Sequence, residues 1–248
     1  MITEFDLDKN ELYQILYEKG IKNLYHANTI ATSITFLNQR SLLSRKYVED
    51  NHLFQTGQYS DAKDKKFEIW DGIFLDAMDI HTEFKRRNKY GPFLFSFDIS
   101  LIKSEYIKTV RVTKVNPVHW NSQQTEKDWY YSDLVEFKDN YKKGNKYRDV
   151  GSMIILNNIE GKLPLRPFLN KFILDNPNVS VNNNNSLKYL ADIIGDELLK
   201  IIAENEFKDV EKELRHRNSI INCTCWSQYK NLNQGTLIEL RKLFHPAP

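Results

Sequence analysis

The chain has 248 residues, 41% hydrophobic and 27% charged, with a formal net charge of +2. That length fits one domain, or one domain with a helical appendage. No apolar run reaches 18 residues, which excludes a helical membrane span, and a charge so near neutral neither demands nor excludes a nucleic-acid partner.

The opening MITEFDLDKNEL is acidic and lacks the basic start and apolar middle of a secretory signal, so a cytoplasmic location is expected. Apolar positions at helical spacing predict a helix over 7–19, ended by Gly20. NLYHA (23–27) reads as a short strand. TIATSITFLNQR (29–40) reads as a helix with Ile30, Ile34 and Leu37 on one face. Residues 46–66 are polar and turn-rich and are expected to form a long loop. GPFLFSFDISLI (91–102), with Phe93, Phe95 and Phe97 alternating after Gly91-Pro92, is the clearest buried strand. Further strands are expected within 107–115, 151–158 and 168–177. VSVNNNNS (179–186) reads as a linker. Beyond it, Leu187, Leu190, Ile193, Ile194, Leu198 and Ile201 predict a helical stretch over 186–217, and a short helix closes the chain at 235–244. Strands with irregular connections followed by helices predict an α+β fold, with a domain over 1–178 and a helical C-terminal segment over 186–248.

Several chemistries lack their motifs. There is no Gly-x-Gly-x-x-Gly, no phosphate-binding loop and no His-Glu-x-x-His. Cys223 and Cys225 are one residue apart. A disulfide there would be strained, so reduced thiols packed in a core are expected, and two sulfurs near His216 do not make a tetrahedral zinc site.

Two polar residues stand out at the ends of one unit. His26 lies on the first strand, the helix follows, and Leu42-Leu43-Ser44-Arg45 comes after it. A histidine can hydrogen-bond a ribose hydroxyl, and an arginine fork grips anionic oxygens. The order Tyr25-His26, helix, Leu-Leu-Ser-Arg resembles the opening of ADP-ribosyltransferases, nearest to the DarT-like enzymes that modify nucleic acid. The likeness is strongest over residues 23–45 and extends in outline to about 177. It implies a mixed-sheet transferase core and NAD as cofactor, held by Tyr25, His26, Asn28, Ser44 and Gln58. Arg45 would hold phosphate or align the acceptor. It further implies a nucleic-acid acceptor, RNA or DNA, and a toxin of bacterial phage defence with a neutralising antitoxin partner. The family carries a glutamate at the start of a late strand, where this sequence has Ser152. Asp149 precedes that strand and Glu160 follows it. Asp79, with His81 two residues on, is the favoured substitute and Asp149 the next.

The segment WDGIFLDAMDIH (70–81) also supports a rival reading. Asp76, Asp79 and His81 have the residue types of a divalent-metal site, as in a metal-dependent nuclease. The transferase reading requires no metal. A third reading is a non-catalytic binding protein on a degenerate transferase fold, favoured by the missing glutamate. Trp120, Trp129, Tyr130, Tyr131 and Tyr141, interleaved with KKGNKYR, have the makings of a base-stacking platform, and also of an ordinary core.

Overall fold

A computed structural model describes residues 3–144, 151–157, 159–183, 186–215, 224–234 and 237–246. Helix α1 (Lys9–Glu18) begins at Asp8, whose carboxylate accepts the Asn10 and Glu11 amides, and Gly20 at φ +78° turns the chain out of it. Strand β1 (Asn23–Asn28) leads into α2 (Ile30–Asn38), capped by the Thr29 hydroxyl. After β2 (Ser41–Leu43) come α3 (Arg45–Asp50) and α4 (Asp61–Lys66). These two helices take up both ends of the expected loop over 46–66, leaving 51–60 irregular. Each is six residues long and mostly charged, too short and too polar to show a periodic apolar face. Ser44 caps α3 at the Tyr47 amide, and Val48 is buried beneath it.

Next are β3 (Ile73–Leu75), α5 (Ile80–Phe84), β4 (Phe93–Asp98), β5 (Thr109–Val112), α6 (Glu126–Trp129), α7 (Leu134–Asn140), β6 (Ile154–Asn157), β7 (Lys162–Pro164) and β8 (Leu169–Leu174). The hairpin β9 (Ser180–Asn183) and β10 (Ser186–Tyr189) occupies the expected linker. Then follow α8 (Leu190–Glu204), β11 (Glu211–Leu214), α9 (Cys225–Gln234) and α10 (Leu237–Phe244). The helix expected over 186–217 is thus shorter, because Leu187 faces solvent on β10 and the chain beyond Glu204 turns back into a strand.

The fold is α+β. One sheet has the order β1-β4-β8-β11, antiparallel except that β11 runs parallel to β8; a second has the order β3-β6-β5, all antiparallel. The described residues beyond 186 include α8, α9 and α10 and also supply β11 to the first sheet. Phe93 to Phe97 are buried on both faces of β4, as a central strand requires. Trp120, Tyr130, Tyr131 and Tyr141 are buried, and Trp129 stacks on Trp120 at 4.7 Å, so these rings are core rather than a base-stacking platform. The expectation of reduced thiols involves Cys223, which lies outside the described residues. Cys225 itself is buried and its amide donates to the Lys85 carbonyl. Among the described residues no helix is long and apolar enough to cross a membrane.

The two sheets meet at one isolated bridge, where Tyr25 of β1 and Asp76, just past β3, exchange backbone hydrogen bonds of 2.8 Å each. Beside it Gly91 packs against the turn from β1 into α2. A Cβ on Gly91 would lie 1.9 Å from the Asn28 carbonyl oxygen. Backbone cannot yield as a side chain tip does, so Gly91→Ala is expected to destabilise by about 2 kcal/mol or more. Urea denaturation checks this through a lower midpoint at unchanged slope.

Candidate functional site

Where β1 and β3 diverge from their bridge, a cleft opens, walled by Phe36, Leu43, Ile73, Phe74, Met78 and Leu94. Its polar groups come from β1, from the segment 45–64 and from residues 76–90. His26 and Arg45, from the two ends of the β1-α2-β2 unit, both line it.

The His26 ring is held by neighbours that decide its chemistry. Nδ1 lies 2.8 Å from the Phe74 carbonyl, which accepts only, so Nδ1 carries the hydrogen and Nε2 is left as an acceptor. The Asn28 amide nitrogen approaches Nε2 at 3.4 Å. Burial lowers the imidazole from its usual 6.5 to about 4; the Phe74 bond opposes this and the Arg45 charge adds to it. The ring is therefore neutral at physiological pH. Alternation along β1 sends Tyr25 the other way, and its phenol, raised by burial and by the Asp79 charge, bonds Asn23. Tyr25 serves the cleft chiefly through its backbone bridge to Asp76.

Arg45 organises the loop above the cleft. Its Nη1 donates to the Thr56 carbonyl at 3.0 Å and its Nη2 to Asp61 Oδ2 at 2.6 Å, while its Nε is buried without a partner. Asp61 Oδ2 also accepts the Gln58 amide at 2.9 Å, and the Gln58 side chain donates to Asn28 Oδ1 at 3.3 Å. Asn28 and Gln58 thus join His26 and Arg45 in one network. Ser44 stands outside it: its hydroxyl caps α3 and donates to Asp71 at 3.1 Å, so it positions Arg45 without facing the cleft.

Two carboxylates line the cleft, Asp76 and Asp64. Asp76 is committed: Oδ1 accepts the Met78 amide at 2.9 Å and the fully buried Lys143 ammonium at 2.6 Å. Asp64, 7% exposed on α4, accepts only the Ser60 hydroxyl at 2.9 Å. Burial raises it to about 6; the Ser60 bond opposes this, as does Arg45, while Asp61 adds to it. The sequence reading missed Asp64 because it sits in a run of charges, DAKDKK, that looks like a solvated helix. Ser152 is buried, its carbonyl accepting from Lys143 at 2.5 Å, and Glu160 sits exposed in a left-handed turn at φ +55°. Asp149 lies outside the described residues.

Asp79 and His81 are not brought to the cleft. Asp79 caps α5 and accepts Arg215 Nη2 at 2.5 Å; His81 Nδ1 meets Asp175 Oδ1 at 2.9 Å; the Tyr229 hydroxyl donates to Asp175 Oδ2 at 2.9 Å. All five are buried, and their acids are taken up by Arg215, His81 and Tyr229. Asp76, Asp79 and His81 do not converge, and among the described residues no group of three or more His, Cys, Asp or Glu is placed to hold a metal ion. The partners Asp175 and Arg215 are about 100 residues and more away in sequence, so the spacing of the short segment gave no sign of them.

An apolar slot with several amides, a neutral histidine acceptor and an arginine at its rim suits a ligand that has ribose hydroxyls, a flat ring and anionic oxygens. The unpartnered Arg45 Nε and the His26 Nε2 acceptor, met only by the Asn28 amide at 3.4 Å, fit such a ligand. No family model and no curated protein matches the chain. Among solved structures it is similar to Thermus sp. 2.9 DarT in complex with ADP-ribosylated ssDNA, at TM-score 0.47 and 9% identity over 80% of this chain and 96% of that one. The same DarT in complex with NAD+ gives 0.45 and 12% over 79% and 96%, and in complex with carba-NAD+ 0.44 and 11% over 80% and 97%.

Two measurements check this geometry. The unfolded His26 protonates near 6.5 and the folded one near 4. Between those values the unfolded state binds more protons, so stability is full above pH 6.5 and falls as pH drops toward 4, by up to about 1.4 kcal/mol per unit. Urea titrations should show wild type losing stability relative to His26→Gln across that window; parallel pH curves would refute the buried neutral ring. Asp79→Asn removes one of the two carboxylates at the buried Arg215, Asp175 remaining at 3.0 Å, and should cost about 1–3 kcal/mol in the same assay.

Proposed function

We propose that the chain is an NAD-dependent ADP-ribosyltransferase acting on a nucleic acid. The observation that carries this reading is the convergence of His26 and Arg45, with Asn28 and Gln58, on one apolar-walled cleft. The sequence resemblance at Tyr25-His26 and Leu42-Leu43-Ser44-Arg45 rests on the same residues. NAD, when bound, supplies a ribose activated by its bond to nicotinamide. In this reading His26 Nε2 accepts a ribose hydroxyl and the Asn28 and Gln58 amides meet the polar edge of the ligand. Arg45 favours its anionic part and keeps the loop 55–61 folded over it. A fixed, neutral acceptor and a fixed cation need no reorganisation as charge develops.

A nucleic-acid acceptor is supported by the cleft mouth. Tyr59, 55% exposed, stacks on the cleft-lining Tyr90 at 5.3 Å, and Lys85, Arg86 and Lys89 are exposed close by in the chain. Exposed rings beside basic side chains suit unpaired bases. A growth-inhibiting role in phage defence, with a neutralising partner, belongs to the same proposal through the sequence resemblance.

The test uses NAD labelled in its adenylate, offered with single-stranded DNA, single-stranded RNA or protein. Label is expected on nucleic acid, with and without EDTA. Strand cleavage that needs Mg²⁺ and consumes no NAD would instead establish the nuclease. His26→Ala and Arg45→Ala should each weaken NAD binding about tenfold or more, the loss of one charge-assisted or buried hydrogen bond, with folding verified by circular dichroism.

A further inference from the structure

The cleft holds a carboxylate that the network around His26 does not use. Asp76 is committed to the joint between the sheets through Oδ1, which accepts both the Met78 amide and the fully buried Lys143 ammonium. Asp64 is different. One oxygen, Oδ2, accepts the Ser60 hydroxyl, the other has no hydrogen bond, and the side chain lines the cleft while more than nine-tenths buried. The same cleft carries His26 and Arg45, and the Arg45 charge acts on Asp64 directly.

We propose that Asp64 is the catalytic base of this cleft, the group that removes a proton from the acceptor during transfer; this rests on the transferase reading above. Asp64 Oδ1 takes the N–H or O–H proton of the acceptor as the acceptor lone pair bonds to C1′ of the ribose. The electron pair of the broken C1′–N bond leaves with nicotinamide and neutralises its ring, and the proton then passes from Asp64 to solvent. A useful base titrates near the working pH. Burial places Asp64 at about 6, so it is mostly ionised at neutral pH. The charged and titratable groups around it are Asp61 on its own helix, Arg45 from α3 and the Tyr90 phenol from the segment before β4. The Lys63 ammonium is turned to the Val118 and Trp120 carbonyls, and His26 is neutral.

The same burial makes the ionised carboxylate a cost to folding. Its folded value lies above the unfolded 3.8, so stability falls as pH rises from 3.8 through about 6 and stays lower beyond. Asp64→Asn removes that charge and should raise the urea midpoint at neutral pH, which keeps the variant testable.

The experiment compares the full-length chain with Asp64→Asn and Asp64→Glu. Single-turnover transfer to a single-stranded oligonucleotide should fall about 100-fold or more in Asp64→Asn, the range of a lost general base. NAD affinity by calorimetry should change little. The wild-type rate should drop as pH falls through about 6, and this limb should vanish in Asp64→Asn. Asp64→Glu should recover part of the rate. Independently of activity, a carboxyl ¹³C resonance titrating near 6 should be present in wild type, absent in Asp64→Asn, and shifted by added NAD. Transfer by Asp64→Asn at the wild-type rate, an intact acid limb, or a carboxyl titrating in the ordinary range overturns the assignment while leaving the transferase reading in place. Wild type that neither binds nor consumes NAD overturns both.

Discussion

Two backbone hydrogen bonds join the two larger sheets of this molecule. The Tyr25 amide donates to the Asp76 carbonyl and the Asp76 amide donates to the Tyr25 carbonyl. On either side of this rung the strands diverge, and diverging strands leave edge groups that must find other partners. The Phe74 carbonyl finds the His26 imidazole, so the opening of the cleft and the tautomer of its histidine have one cause. The Asp76 side chain secures the same joint through Lys143. Burying such a pair is costly unless the geometry is close and the remaining protons are satisfied. The Lys143 ammonium has close geometry to Asp76 at 2.6 Å and a second acceptor in the Ser152 carbonyl at 2.5 Å. The position where the sequence resemblance calls for an acid is therefore occupied by backbone that serves the joint.

The cleft's polar groups are held in states they would not choose in water. His26 is kept neutral, Asp64 is pushed toward neutrality, and the Arg45 guanidinium is divided between a carbonyl and Asp61 with one nitrogen left over. Such arrangements lower stability and persist because the surrounding core, continuous from α1 to α10, over-determines them. Arg45 shows how. Its own carbonyl accepts the Gln55 side chain, its guanidinium holds Thr56 and Asp61, and Trp70 covers it at 5.4 Å.

What could be read from the sequence was whatever rests on local pattern. Alternating phenylalanines gave β4, the apolar spacing before Gly20 gave α1, and the histidine and arginine flanking one helix gave the two ends of the cleft. What could not be read depends on distant partners. Asp79 looks like an available acid until Arg215 arrives from just past β11, and His81 looks like its mate until Asp175 arrives from just past β8. Asp64 looks solvated until the residues of the cleft enclose it. The tryptophans and tyrosines of 120–141 allow both a surface and a core reading because lysines are interleaved with them, and only their packing against one another inside the molecule decides for the core.

The C-terminal segment acquires a role from the same partners. The chain from Asp76 to Tyr90 forms one wall of the cleft and has little regular structure beyond the five residues of α5. Arg215 holds its start at Asp79, and the Tyr229 hydroxyl reaches the Asp175–His81 pair behind it. Farther along, the Thr224 hydroxyl and Cys225 amide donate to the Lys85 carbonyl, and the Arg87 amide donates to the Gln228 side chain. A short, polar wall could not hold Asn88 and Tyr90 in place alone, since loops without such support are the least stable parts of a fold. The segment after β8 is thus the rear support of the cleft: β11 extends the sheet that carries His26, and α9 braces the opposite wall.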